Sequence, residues 1–133
     1  LPPTRVRAPG PNERLSRPLG LFFMRNTDQP IAKRPLTATE IVASMARLDG
    51  WRLDGDGAEL AIEKTFAFAD FTANMAFVNA VAFIAQAHDH HPELRLSHRQ
   101  CSVRWRTHDV GGITRMDLDL AARMDGILAA LTA

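Results

Sequence analysis

Apolar residues at helical spacing first appear at Ile41, Val42, Met45 and Leu48, directly after Thr37-Ala38-Thr39-Glu40, which has the form of a capping box. The pattern predicts a helix from Thr37 to about Leu48, stopped by Asp49-Gly50, with Trp51 anchoring the extended chain that follows. Asp54-Gly55-Asp56-Gly57 reads as a hairpin turn. From Leu60 to Phe68, the residues Leu60, Ile62, Phe66 and Phe68 alternate with Ala61, Glu63, Thr65 and Ala67, the period of a strand with one buried face. Lys64 breaks that phase, marking either a bend or a snorkelling stem.

Asp70 can cap a long second helix in which Phe71, Met75, Val78, Val81, Ala82 and Ala85 share a face, widened by Phe77, Phe83 and Ile84. Pro92 forces His91 out of helical geometry and places His90 and His91 at the C-terminus of that helix. Strands over about 94–98 and 100–107 follow, the second directing Cys101, Val103, Trp105 and Thr107 one way and Ser102, Arg104, Arg106 and His108 the other. Gly111-Gly112 turns the chain, and Thr114 opens a last helix through Leu131 with Leu118, Ala121, Ala122, Met124, Ile127 and Leu128 as its stripe. The order α-β-β-α-β-β-α predicts an α+β fold, a single-layer antiparallel four-stranded sheet with three helices on one face.

The chain before this region has a different character. Seven of the eight prolines lie in residues 1–36, with seven basic groups against Glu13 and Asp28, which predicts an extended basic Pro/Arg-rich arm ahead of a domain over 37–133. The arm carries +5 and the domain −4, so the net charge of +1 gives no long-range reason for a nucleic-acid or membrane partner. Residues 71–87 are interrupted by Asn74, Asn79 and Gln86 and fall short of the roughly 20 apolar residues of a membrane span. A single cysteine, Cys101, rules out an intrachain disulfide and suits a reducing cytoplasm.

The candidate chemistry lies in the histidines, all five of which fall between positions 88 and 108. Imidazole is the side chain that exchanges protons near neutral pH, so the cluster points to acid–base catalysis. A metal site would draw on His88, His90, His91, His98 and His108, but adjacent histidines on an irregular helix end rarely converge and no acidic or thiol cluster completes a ligand set. A histidine at a helix end can also be only a C-terminal cap. Asp117, three residues after Thr114, occupies a capping-box position.

The spaced elements Asp89-His90-His91-Pro92-Glu93, Thr107-His108-Asp109, Gly111-Gly112-Ile113-Thr114 and Asp117 resemble the pattern of the pterin-4a-carbinolamine dehydratases over about Pro35 to Leu128. Two positions depart from it: Gln86 stands where the pattern has an acidic residue, and His98 where it has an aromatic. The resemblance implies loss of water from a 4a-hydroxytetrahydropterin, with one proton delivered to the departing hydroxyl and one taken from a ring nitrogen. His90, His91 and His108 are the implied catalytic residues. His90 is expected as general acid at a helix C-terminus, His108 as its partner, and His91 as a positioning or shared acid group. Gln86, Asp89, Pro92, His98, Thr107 and Asp117 fill the supporting or substrate-contacting places. The pterin is substrate, and neither a resident cofactor nor a metal is implied. The resemblance further implies a homodimer or homotetramer. It leaves two other roles open: a catalytically silent assembly factor for RuBisCO in carboxysome-bearing bacteria, and a protein-binding dimerisation cofactor like an animal relative's, with the arm as the place for a protein client.

Overall fold

The computed structural model describes residues 33–132. The predicted arm lies outside these residues up to Ala32. The elements are α1 (Ala38–Met45), β1 (Arg52–Asp54), β2 (Ala61–Ala67), α2 (Phe71–Ala87), β3 (Glu93–Leu96), β4 (Gln100–Trp105) and α3 (Arg115–Thr132), with single 3₁₀ turns at Gly57–Glu59 and His108–Val110. All strand pairs are antiparallel in the order β1-β2-β4-β3, and the three helices contribute to one core against the sheet. The fold is α+β in the predicted order.

The capping box forms as the sequence requires: Glu40 N–H donates to Thr37 Oγ1 at 3.2 Å, and Thr37 N–H to Glu40 Oε2 at 3.1 Å. The helix is shorter than predicted, ending at Met45, and Leu48 is buried from the turn that follows. Contacts begin ahead of Thr37. Leu36 N–H donates to Ile113 O at 2.8 Å, and Lys33 Nζ bonds Asp109 Oδ2 at 3.0 Å, so residues 33–36 run beside the loop that leads into α3. The connection after β1 is longer than a tight hairpin turn, because the 3₁₀ turn is inserted before Ala61.

Lys64 resolves as a snorkelling stem. Its register is unbroken, Ile62, Lys64 and Phe66 facing Trp105, Val103 and Cys101 on β4, so there is no bend. The stem passes the Phe66 ring and Gly50, whose φ of +80° a side chain would resist, and Nζ ends on Asp49 O at 2.8 Å and Asp125 Oδ1 at 2.7 Å. Trp51 donates its indole N–H to Asp125 Oδ2 at 3.0 Å. One carboxylate on α3 thus holds both β2 and the turn after α1.

On α2 the buried face is rotated from the predicted stripe. Asn74, Phe77, Val81 and Ala85 are buried, whereas Phe71, Ala82 and Phe83 are exposed. The helix has no charged residue to fix its phase, and the sequence pattern could not anticipate that a polar side chain, Asn74, belongs inside. Its Nδ2 donates to Ser97 O at 2.8 Å and Gln100 O at 3.0 Å, closing the β3–β4 turn. Phe77 packs on Phe66 and Phe68 with ring centroids 4.6 and 5.2 Å apart. On β4, Cys101, Val103, Trp105 and Thr107 are all buried as the alternation predicts, and burial pushes the Cys101 thiol up. No helix of the described residues is long and apolar enough to cross a membrane.

Candidate active site

The site is built where three chain segments converge: the turn after α2, the end of β4 with its 3₁₀ turn, and the first turn of α3. Each is shaped by local sequence. The C-terminus of α2 closes with paired backbone bonds, Asp89 N–H to Gln86 O at 3.3 Å and His90 N–H to Ala85 O at 3.1 Å, around Asp89 at φ +47°. The loop after β4 is closed by Thr107 N–H to Gly112 O at 3.0 Å, with Gly111 at φ +60° turning the chain. Asp117 sits in the first turn of α3, where the helix N-terminus favours negative charge.

These segments meet at the Asp117 carboxylate, which is fully buried. His90 Nε2 lies 2.6 Å from Oδ1, and because a carboxylate only accepts, that nitrogen carries the hydrogen. Oδ2 accepts the Thr107 hydroxyl at 2.8 Å and the Thr114 backbone N–H at 2.9 Å. Since the Thr107 proton is spent on Asp117, the 2.8 Å contact between the two threonine hydroxyls has Thr114 donating. Asp117 therefore caps α3 and binds His90 at once, so the two roles open to it in the sequence are both filled. The capping is only half of a capping box, because the Thr114 hydroxyl turns to Thr107.

His90 is 8% exposed and stacks on Trp105, ring centroids 5.5 Å apart and planes 7° from parallel. The Trp105 indole N–H is buried without a partner among the described residues, so packing and stacking set that ring's position. The expected placement of His90 at the helix end as an acid favoured by the helix dipole is replaced by this one: the ring is turned inward onto a carboxylate, past the end of α2. The capping role belongs to His88, which is the C-cap residue, donates from Nδ1 to Ile84 O at 2.9 Å and accepts Arg123 Nη1 on Nε2 at 3.2 Å.

His91 and His108 are exposed, each one residue along from a member of the buried network. His91 Nε2 meets Gln86 Oε1 at 3.3 Å. In an unbroken helix Gln86 and His90 would share a face, at i and i+4, but the left-handed turn at Asp89 carries His90 inward and brings His91 to the glutamine instead. Asp109 follows His108, and the Lys33 ammonium bonded to it holds its carboxyl below the usual value, with a smaller pull from His108 and His90. The structure does not bring His98 to this cluster. Its ring lies 6.3 Å from Phe71 at the first residue of α2, and the 17 residues of that helix put about 24 Å between its ends. Pro92 leads into β3 directly after the histidine pair.

Among the described residues no group of three or more His, Cys, Asp or Glu side chains is arranged to hold a metal ion. A groove of about 400 Å³ between α1 and α3, lined by Ser44, Arg47, Arg115 and Leu118, contains none of the candidate residues. The Thr114 hydroxyl and the Trp105 ring are site components beyond those expected from the sequence. The alternation of β4 carried the signal for Trp105, since it puts that ring on the same side as Thr107.

A family model described as pterin 4 alpha carbinolamine dehydratase matches residues 34–127. The chain is 57% identical over 99 residues to a candidate pterin-4-alpha-carbinolamine dehydratase of Paracidovorax citrulli, covering 74% of this chain and 85% of that one. It is 40% identical over 94 residues to a similarly named protein of Nitrosospira multiformis, covering 71% and 80%. Among solved structures, a transcriptional coactivator/pterin dehydratase from Brucella melitensis superposes with a TM-score of 0.67 at 32% identity, over 71% of this chain and 98% of that one. A pterin dehydratase-like protein identified as a RuBisCO assembly factor in the alpha-carboxysome superposes at 0.52 with 22% identity, over 59% and 88%, and shares the fold.

The Gln86–His91 contact makes a direct prediction. Gln86→Glu moves the ring resonances of His91 in an NMR spectrum and leaves those of His90 in place; movement of His90 alone would return the register to an uninterrupted helix.

Proposed function

The chain belongs to the pterin 4 alpha carbinolamine dehydratase family, and on that premise we propose that it dehydrates a 4a-hydroxytetrahydropterin by histidine acid–base catalysis. The observation that carries the reading is that a single buried carboxylate anchors both segments bearing exposed imidazoles: Asp117 holds His90 beside His91 and Thr107 beside His108.

The reaction breaks the C4a–O bond. The hydroxyl leaves as water once it receives a proton, and a ring nitrogen gives up its hydrogen to leave the quinonoid dihydropterin. Both transfers need groups that change protonation near neutral pH and reach the substrate. With its Nε2 bonded to Asp117 and its ring covered by Trp105, His90 supports the site from beneath. His91 and His108 are the accessible rings and divide the acid and base roles. Gln86 cannot titrate and here serves to orient His91. The pterin is substrate, and no resident cofactor enters the scheme.

A homo-oligomer is part of this reading. Helix α2 has 17 residues without a charge, and its outer face carries Ala76, Asn79, Ala87 and a Phe83 that stands 78% exposed. A wholly uncharged helix asks for cover on both sides. A second copy of the same helix, antiparallel about Asn79 and Ala80, would set each Phe83 against the partner's small residues.

Two outcomes follow. In a stopped-flow absorbance assay the protein accelerates dehydration, and His91→Ala and His108→Ala each lower the rate at least about tenfold, a floor set below the roughly 10²- to 10⁴-fold that a positioned acid or base typically contributes. No acceleration over buffer by the wild type would end the enzymatic reading and favour the silent assembly role. Light scattering after size exclusion gives a multiple of the chain mass that Phe83→Glu reduces. A wild-type mass of one chain would remove the oligomer.

A further inference from the structure

We propose that Asp89 is a positioning residue that acts through its left-handed backbone and not through its carboxylate, an inference that deepens the dehydratase reading and rests on it for its kinetic arm. Among the described residues Asp89 is the one non-glycine with positive φ, +47°. Such a conformation is disfavoured for residues with a side chain, and asparagine and aspartate accept it more readily than most. It lies directly before the histidine pair.

The consequence of the turn can be read from what a continued helix would do. Gln86 is on the exposed face of α2, and residue 90 in an unbroken helix would lie over it, four positions on. His90 would then face outward and lose Asp117. The reversal at Asp89 instead sends His90 N–H back to Ala85 O and its ring inward to Asp117 Oδ1, and delivers His91 to Gln86. Pro92 fixes the other end, since it bars helical geometry at His91. The pair is bracketed by two backbone constraints, one on each side, and the buried and exposed roles of the two imidazoles follow from them.

The Asp89 carboxylate is exposed and makes no hydrogen bond among the described residues. What the position requires is tolerance of the left-handed region, which glycine and asparagine share and a β-branched residue lacks.

The test compares Asp89→Gly, Asp89→Asn, Asp89→Ala and Asp89→Val by three measurements: the rate of dehydration, the thermal midpoint, and the slowly exchanging downfield proton of His90 Nε2 held by Asp117. The Gly and Asn variants keep that proton signal and a rate within about threefold of wild type, by the shared backbone tolerance. The Val variant loses the signal and at least tenfold in kcat, with Ala between, while the fold persists. Loss of rate or signal in the Asn or Gly variant would overturn the proposal by showing that the carboxylate itself is used. Retention of both in the Val variant would overturn it by showing that the turn does not place the ring. The proton signal reports on the turn even where no dehydration is measured, so a silent wild type would defeat the dehydratase reading without deciding this one. If Val fails to fold, the Ala variant and the Asn and Gly pair still decide it.

Discussion

The carboxylate of Asp117 accepts hydrogen bonds from an imidazole, a hydroxyl and a backbone amide while wholly buried, and the geometry of the site depends on that arrangement. A buried anion is costly unless each of its lone-pair directions is used. Here the cost is offset by three short bonds and by the N-terminus of α3, whose unpaired amides favour a negative charge. Because the three donors come from the turn after α2, the end of β4 and the start of α3, satisfying one carboxylate fixes these segments relative to one another. The exposed His91 and His108 inherit their positions from His90 and Thr107.

A second carboxylate on the same helix does comparable work away from the site. Asp125 takes the Trp51 indole and the Lys64 ammonium, so that a lysine on the core-facing side of β2 reaches a partner at the edge of the core. Both anchors lie on α3. The last helix is the element against which the sheet and the preceding turns are registered, and its two inward carboxylates are eight residues apart, close to two turns of helix.

Much of this was legible in the sequence. The capping box at Thr37, the cap at Asp70, the alternation of β4 and the element order follow from local chemistry that tertiary packing did not override. The family pattern also named His90, Thr107 and Asp117, which the fold joins. What sequence reasoning missed comes from long-range polar pairing and from one local backbone reversal. Periodicity treats Asn74 as surface, although two carbonyls of the β3–β4 turn draw it inside. It treats Gln86 and His90 as neighbours, although one left-handed residue between them reverses the chain. It allows Lys64 either a bend or a stem, and the unbroken register with β4 and the bonds to Asp49 O and Asp125 decide for the stem. His98 shows the limit of motif matching within a single chain, since its place at the far end of α2 could not be inferred from spacing to Pro92.

The account stands or falls on whether Asp117 couples the two histidine-bearing segments. Native-state hydrogen exchange on Asp117→Asn measures this directly. The account predicts that the amides of His90, bonded to Ala85 O, and Thr107, bonded to Gly112 O, both exchange faster than in the wild type, while amides in the middle of α2 keep their protection. Acceleration at only one of the two amides, or at neither, would contradict it.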